Sequence, residues 1–261
     1  FPRLNDDTAV LIELVRYARA ARRPDLADRY ARRLLRLSLL RQWQREARML
    51  AHGGAFARRV SQQAEPGLPF DDKIYTLGFE AFLDNRKLED AWKVAASAVR
   101  QAPGHLAWRE RLAKVAEWSG RPVQALENWL FLARNDNRPE AWQAVLRLAP
   151  GLFDDRALRE ALLHELATRP GDEKLIRELA AIYERLGDPE GGRRFLEGRY
   201  ATLGRPWLLV ELAGIAERMG DGEGAIAIWR RYLAREKVNA NDAVRIATLM
   251  LLHGHGEEAL A

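Results

Sequence analysis

HLAWRERLAKVAEWSGRPVQALENWLFLARND, residues 105–136, decides the fold. Trp108, Leu112, Ala113, Ala116 and Trp118 recur at helical spacing and stop at Gly120. After a short turn, Val123, Leu126, Trp129, Leu130 and Ala133 repeat the pattern. Gly120 can take the left-handed conformation that ends a helix, and Pro122 suits the first turn of the next. The stretch therefore predicts two antiparallel amphipathic helices. Working outward, residues 173–204 do the same with Leu179, Ala180, Tyr183 and Gly187, then Phe195 and Leu196; residues 207–233 do so with Leu212, Ala213, Ala216 and Gly220, then Ala225 and Trp229. A small residue follows the corner by five positions at Ala91, Ala125, Ala225 and Ala259, the first two and the last two each 34 apart. Self-similarity on this scale predicts supersecondary units stacked side by side. Ala113, Ala180, Ala213 and Ala247 mark where each first helix must approach a neighbour closely, since a larger side chain would force the helices apart.

This unit resembles the tetratricopeptide repeat. Tyr75, Phe82, Ala91, Ala95, Ala98 and Pro103 follow that family's pattern, as do Leu112, Ala113, Gly120, Ala125 and Trp129. The resemblance implies an all-α right-handed solenoid, with about seven units near 8–41, 72–105, 106–139, 140–171, 173–205, 206–239 and a truncated one from 240. Two places depart from the pattern. Gln42 to Phe70 contains Gly53-Gly54 and Glu65-Pro66-Gly67-Leu68-Pro69, which predicts a degenerate helical pair followed by a linker; the 140–171 unit places Pro150-Gly151 at its corner and lacks the alanine after it. The expected organisation is a basic N-terminal unit with the degenerate pair and linker over 1–70, and a repeat array over 71–261.

Composition excludes several chemistries. The 261 residues contain no cysteine, which removes disulfides, thiolate metal sites and cysteine nucleophiles together. No stretch approaches the roughly 18–20 apolar residues that span a bilayer. The chain opens on Phe1 and stops at Ala261 where a helix has barely begun, so it is expected to be a piece of a longer protein. His52, His105, His164, His253 and His255 have no partners at metal-ligand spacing; Thr168 stands where the second histidine of a zincin helix would follow His164-Glu165. Gly220-Asp221-Gly222-Glu223-Gly224 follows a helix and lacks the Lys and Ser/Thr of a phosphate-binding loop. None of the four serines lies in a Gly-x-Ser-x-Gly elbow. Asp6-Asp7, Asp71-Asp72 and Asp154-Asp155 precede predicted helices, where carboxylates cap free N–H groups. The expectation is a scaffold without enzymatic activity, cofactor or metal.

Charge is more informative. Residues 1–64 hold 14 Lys/Arg against 6 Asp/Glu, whereas the remainder holds 28 against 31. Arg16, Arg19, Arg22 and Arg23 open this basic hairpin, which reads either as a patch for an anionic partner or as a solvated face. No nucleic-acid-reading motif accompanies the arginines, which leaves nucleic acid as the minor option. Repeat arrays bind along the surface lined by their first helices. Eight residues before the small reference position, that surface should carry Glu117, Glu184 and Glu217, with Glu80 and Glu110 at nearby offsets. Two readings stand: an acidic stripe for a cationic partner, or a surface neutralised by Lys114, Arg185 and Arg218. Eleven before the reference stand Arg16, Glu80, Lys114, Ala181, Gly214 and Thr248, so the asparagines of the chaperone-binding carboxylate clamp are missing.

The string over residues 4–37 (LNDDTAVLIELVRYARAARRPDLADRYARRLLRL), the segment after it and DDKIYTLGFEAFLDNRKLEDAWKVA resemble the helical periplasmic region of the outer-membrane component of Pel-type exopolysaccharide export systems. That resemblance implies periplasmic localisation and recruitment of a polysaccharide-modifying enzyme, a deacetylase or hydrolase. It also implies guidance of a cationic polysaccharide to an outer-membrane pore, and an anionic membrane surface near the N-terminus. The alternatives are a general protein–protein adaptor, including the arrays of cellulose or poly-N-acetylglucosamine export, and a nucleic-acid-binding helical repeat.

Overall fold

The computed structural model describes residues 7–37, 70–235, 238 and 240–259, and no strand occurs among them. The helices are α1 (Thr8–Ala20), α2 (residues 24–37), α3 (Asp72–Asp84), α4 (Leu88–Gln101), α5 (Leu106–Trp118), α6 (Pro122–Asp136) and α7 (Pro139–Leu148). A 3₁₀ turn over Pro150–Leu152 precedes α8 (Asp155–Thr168), α9 (Glu173–Arg185), α10 (Pro189–Leu203), α11 (Trp207–Arg218), α12 (Gly222–Leu233), α13 (Ala240–Leu252) and the short α14 (Gly256–Ala259). Consecutive helices pair into hairpins, and the chain is an α-solenoid of the tetratricopeptide type. The degenerate segment expected from Gln42 lies outside the described residues, Phe70 excepted.

One corner geometry recurs at all seven described turns from a first helix into a second. The N–H of Arg23, Lys87, Arg121, Asp154, Asp188, Asp221 and His255 donates to the carbonyl five residues earlier, at 2.8 to 3.1 Å. This is the closure that consumes the orphan carbonyls of a helix C-terminus, and it requires a left-handed residue just before the donor. Gly120, Gly187, Gly220 and Gly254 supply it at φ 72° to 80°, without steric penalty. Arg22, Arg86 and Phe153 supply it at φ 52° to 54° despite their side chains. The corner expected at Pro150-Gly151 is therefore turned by Phe153, with Pro150–Leu152 tightened into the 3₁₀ turn before it. Five residues after Phe153 comes Leu158, buried where the other units place Ala or Gly.

The described residues form two compact units, one through Leu148 and one from Ala149. In the first, α1 and α2 share a continuous core with α3, α4 and α5. Leu35 of α2 packs on Gly78 of α3, where a Cβ would stand 3.2 Å from the Leu35 methyl. Phe70, Tyr75 and Phe79 surround the fully buried Trp108 with ring centroids 5.8 to 6.3 Å away, edge-to-face. Thus two hairpins separated in sequence by residues 38–71 are direct neighbours in one core. In the second unit, Leu208, Leu209, Leu212, Ile226 and Trp229 are buried on facing helices. The small positions behave as their chemistry requires: Ala91, Ala113, Ala125, Ala213 and Ala225 are fully buried and Ala180 nearly so, while Ala247 is half-buried. At the equivalent Gly192, a Cβ would meet Tyr183 Cβ at 3.1 Å.

Candidate partner-binding groove

The first helices α1, α3, α5 and α7 of one unit, and α9, α11 and α13 of the other, present the rows in which the sequence placed its candidate acids. Each of those carboxylates engages a cation. Glu80 on α3 accepts from Arg19 of α1, and the Arg19 Nε also donates to Asp84 at 2.6 Å. Glu110 on α5 accepts from Lys114 at 2.5 Å and from Arg138, just ahead of α7, at 2.6 Å. The Lys114 ammonium, helped by Arg138 and opposed by burial, holds the Glu110 carboxyl below its ordinary value. Glu117 meets Arg147 of α7 at 2.7 Å and accepts the Trp129 indole N–H at 2.5 Å. Burial alone would raise the Glu117 carboxyl, but those two donors outweigh it and leave it lowered.

The second unit repeats the device. Glu184 of α9 accepts from both ends of the Arg218 guanidinium of α11 at 2.8 and 3.0 Å. Arg177 reaches Glu211, so two pairs of opposite polarity link α9 to α11 across the same 34 residues. Glu217 accepts the Trp229 indole at 2.8 Å and Arg245 of α13 at 2.9 Å. Arg185 grips Asp155 at 2.6 and 2.9 Å and holds its carboxyl below the usual range. Carboxylate–guanidinium pairs thus form a ladder that links α1 to α3 and α5 to α7 in the first compact unit, and α9 to α11 and α11 to α13 in the second. Each exposed pair adds little energy, but a bidentate guanidinium fixes geometry well. The Glu-to-Trp links, 12 residues apart in both units, were not singled out from sequence; the shared spacing Glu117–Trp129 and Glu217–Trp229 is the signal that could have found them.

Between these pairs lie apolar residues that remain in solvent. Trp118, beside Glu117, is 57% exposed; Val244, Leu251 and Leu252 on α13 are 67%, 58% and 78% exposed. These α13 residues occupy rows that elsewhere carry the ladder, so the groove face becomes apolar at α13. Phe153, the left-handed corner residue, is 92% exposed.

The basic N-terminal candidates separate. Arg16 pairs with Glu13 on its own helix at 2.7 Å, and Arg19 is committed to α3, whereas Arg22 and Arg23 are exposed at the first corner. At the last corner His253 and His255 both turn toward Glu223 of α12, at 3.7 and 3.2 Å. Among the described residues, no group of three or more side chains sits together as metal ligands, and no helix is long and apolar enough to cross a membrane.

No protein-family model matches the chain, and no curated protein matches its sequence. Among solved structures, the Naa15/Naa10 complex bound to HypK-THB contains a chain that aligns over 97% of this one at 13% identity and a TM-score of 0.52. This chain spans only 35% of that protein, and the likeness concerns the fold. A thermophilic TPR protein of Thermus thermophilus aligns over 66% of this chain and 95% of its own, at 20% identity and a TM-score of 0.35. PilF of Pseudomonas aeruginosa aligns over 71% and 86%, at 15% identity and a TM-score of 0.35.

Proposed function

We propose that this chain is a non-catalytic scaffold that binds protein partners along the first-helix face of its units. The observation that carries this reading is the ladder itself. Pairs whose partners stand 34 residues apart, such as Arg177–Glu211 and Glu184–Arg218, keep successive first helices in fixed relation, which pre-organises a surface without a reacting centre. The exposed Trp118 gives that surface an anchor of the kind that dominates interfaces, and Leu251 and Leu252 add exposed apolar area on α13. A photoreactive amino acid placed at position 118 or 251 in cells is expected to cross-link a discrete protein. Cross-linking from neither position, in cells where the chain is folded, overturns the reading.

A finer reading rests on the likeness to Pel-type export regions. In it the array stands in the periplasm, recruits a polysaccharide deacetylase or hydrolase and guides a cationic polymer toward an outer-membrane pore. Arg22 and Arg23 then lie on the side nearest an anionic membrane. Affinity capture from periplasmic extract is expected to recover the modifying enzyme. Recovery of other proteins alone removes the finer reading and leaves the scaffold.

A further inference from the structure

We infer that the outer face of α10, with Arg231 of α12 and Arg235 just after it alongside, docks an extended acidic segment of a protein partner. Arg231 and Arg235 stand over the Tyr200 ring, 5.0 and 5.7 Å from its centroid, and Arg199 stands over Phe195 at 5.4 Å. Both rings are half-buried, and Phe195 packs in turn on Tyr183 at 5.7 Å, so they are fixed supports. A guanidinium stacked on a ring gives up rotamer freedom in advance and keeps its N–H fork free for a carboxylate. Among the described residues, neither these three arginines nor the exposed Arg194 pairs with one. Their neighbours on the same helices do: Arg193 meets Glu190 at 3.3 Å, Asp221 at 3.5 Å and Glu197 at 4.0 Å, and Arg230 meets Glu258 at 2.9 Å. The acids of this face are therefore already engaged. No missing neighbour explains the surplus cations, since α9 and α11 pack against α10 and α13 packs against α12.

The second observation is a glycine that the fold does not ask for. Arg194, Gly198 and Ala201 share the outermost row of α10, at i, i+4 and i+7, and all three are exposed. Glycine weakens the middle of a helix, yet a Cβ at Gly198 would meet nothing within 4 Å. Gly191 and Gly192 of the same helix, by contrast, face Asp188 and Tyr183 at close range. With Ala201, Gly198 leaves the ridge of α10 low, and a bare stretch of this kind lets another backbone approach closely. By helical spacing Tyr200 and Phe195 stand on opposite flanks of that row, so stacked guanidiniums border it on both sides. An extended peptide laid across Gly198 would meet cations on either hand, which suits acidic side chains at alternate positions. A nucleic acid would instead need open rings for its bases, and Phe195 and Tyr200 are already covered by guanidiniums.

The inference rests on the scaffold reading but concerns the second-helix face, so cross-linking at positions 118 and 251 and the following titration fail independently. The probe is a blocked peptide of alternating Glu and Ser, titrated into the isotopically labelled chain and followed by amide NMR shifts. Shifts are expected at Gly198, Arg199 and Arg231 and should weaken with added salt. Gly198→Leu should raise the melting temperature, because leucine favours the helix, and yet cut affinity about tenfold by filling the low row. Misfolding cannot imitate that pair of results. Arg231→Glu combined with Arg235→Glu should cut affinity by about tenfold or more, whereas Arg16→Glu leaves it unchanged. An absence of shifts at low salt, or an affinity indifferent to Gly198→Leu or to the double charge reversal, overturns the inference. So does binding of a single-stranded oligonucleotide or of phosphatidylglycerol vesicles, lost in the double reversal, when the peptide does not bind.

Discussion

The corners of the two compact units have one backbone and opposite side chains. From Thr8 to Leu148 the residue that closes the corner is Arg23, Lys87 or Arg121, and neither Lys87 nor Arg121 caps its helix with a side chain. From Ala149 onward it is Asp154, Asp188 or Asp221, each accepting the backbone N–H three residues on, from Ala157, Gly191 and Gly224 at 2.9 to 3.0 Å, and at the last corner His255. The contrast teaches that the turn is made by main-chain closure, and that the side chain there is available for another task. One unit uses it to staple itself to the hairpin before, Lys87 to Asp28 and Arg121 to Glu89; the other uses its aspartates to start the next helix. At Asp221 the cation comes instead from the preceding second helix, as Arg193 at 3.5 Å.

The largest effect should show that the units share a core logic despite their corners. Trp129→Ala and Trp229→Ala each remove a buried indole and its Glu117 or Glu217 hydrogen bond, and each is expected to cost about 3–5 kcal/mol. Urea denaturation followed by a probe in each unit measures both, and a difference of several-fold between them would break the equivalence. Next in size are the left-handed residues. Phe153→Gly removes a 92% exposed ring and its backbone strain, so stability should rise by about 1 kcal/mol; Gly187→Phe should lower it by about 1–2 kcal/mol. A fall in melting temperature for Phe153→Gly would assign that ring a structural contact. The corner side chains come third. Asp188→Ala should cost about 1 kcal/mol as a lost cap, against a few tenths for Arg121→Ala at a partly exposed pair. Thermal melts that rank Arg121 above Asp188 would reverse the proposed division of labour.

The smallest effect is with acid. Asp28, Glu110 and Glu117 in the first unit have folded values below their unfolded ones, so their contribution is complete above the unfolded carboxylate range near about pH 4. It is lost as pH falls through the folded values. In the second unit, Asp155 and Glu258 behave alike, Asp155 half-buried and Glu258 exposed, so fewer such groups act there. Hydrogen exchange followed from about pH 5 down to about pH 2, across that carboxylate range, should therefore show the first unit losing protection sooner, and Asp28→Asn should flatten its pH dependence.

Much of this was legible in the sequence, for identifiable reasons. Gly120, Gly187, Gly220 and Gly254 announced their corners because glycine is the default left-handed residue. Arg22, Arg86 and Phe153 were silent for the same reason: the main-chain closure of the corner imposes a conformation that their own preferences disfavour. The candidate acids on the first helices were found by spacing, but their partners were not. The link between Glu117 and Arg147, or Glu217 and Arg245, depends on how successive helices sit beside one another, and periodicity within a unit carries no information on that. The neighbourhood of α2 and α3 was hidden by the long stretch of chain, residues 38–71, that separates them.

The seven backbone-closed corners have one further consequence. Since the hydrogen bond from each corner runs from N–H to C=O and no side chain takes part, substitutions other than proline at the donor position leave the turn intact. The series Arg, Lys, Arg in the first compact unit and Asp, Asp, Asp, His in the second can therefore drift under selection for what each corner must contact. An array built this way has an edge that can be rewritten one letter at a time, as an address label, while the architecture that displays it stays fixed.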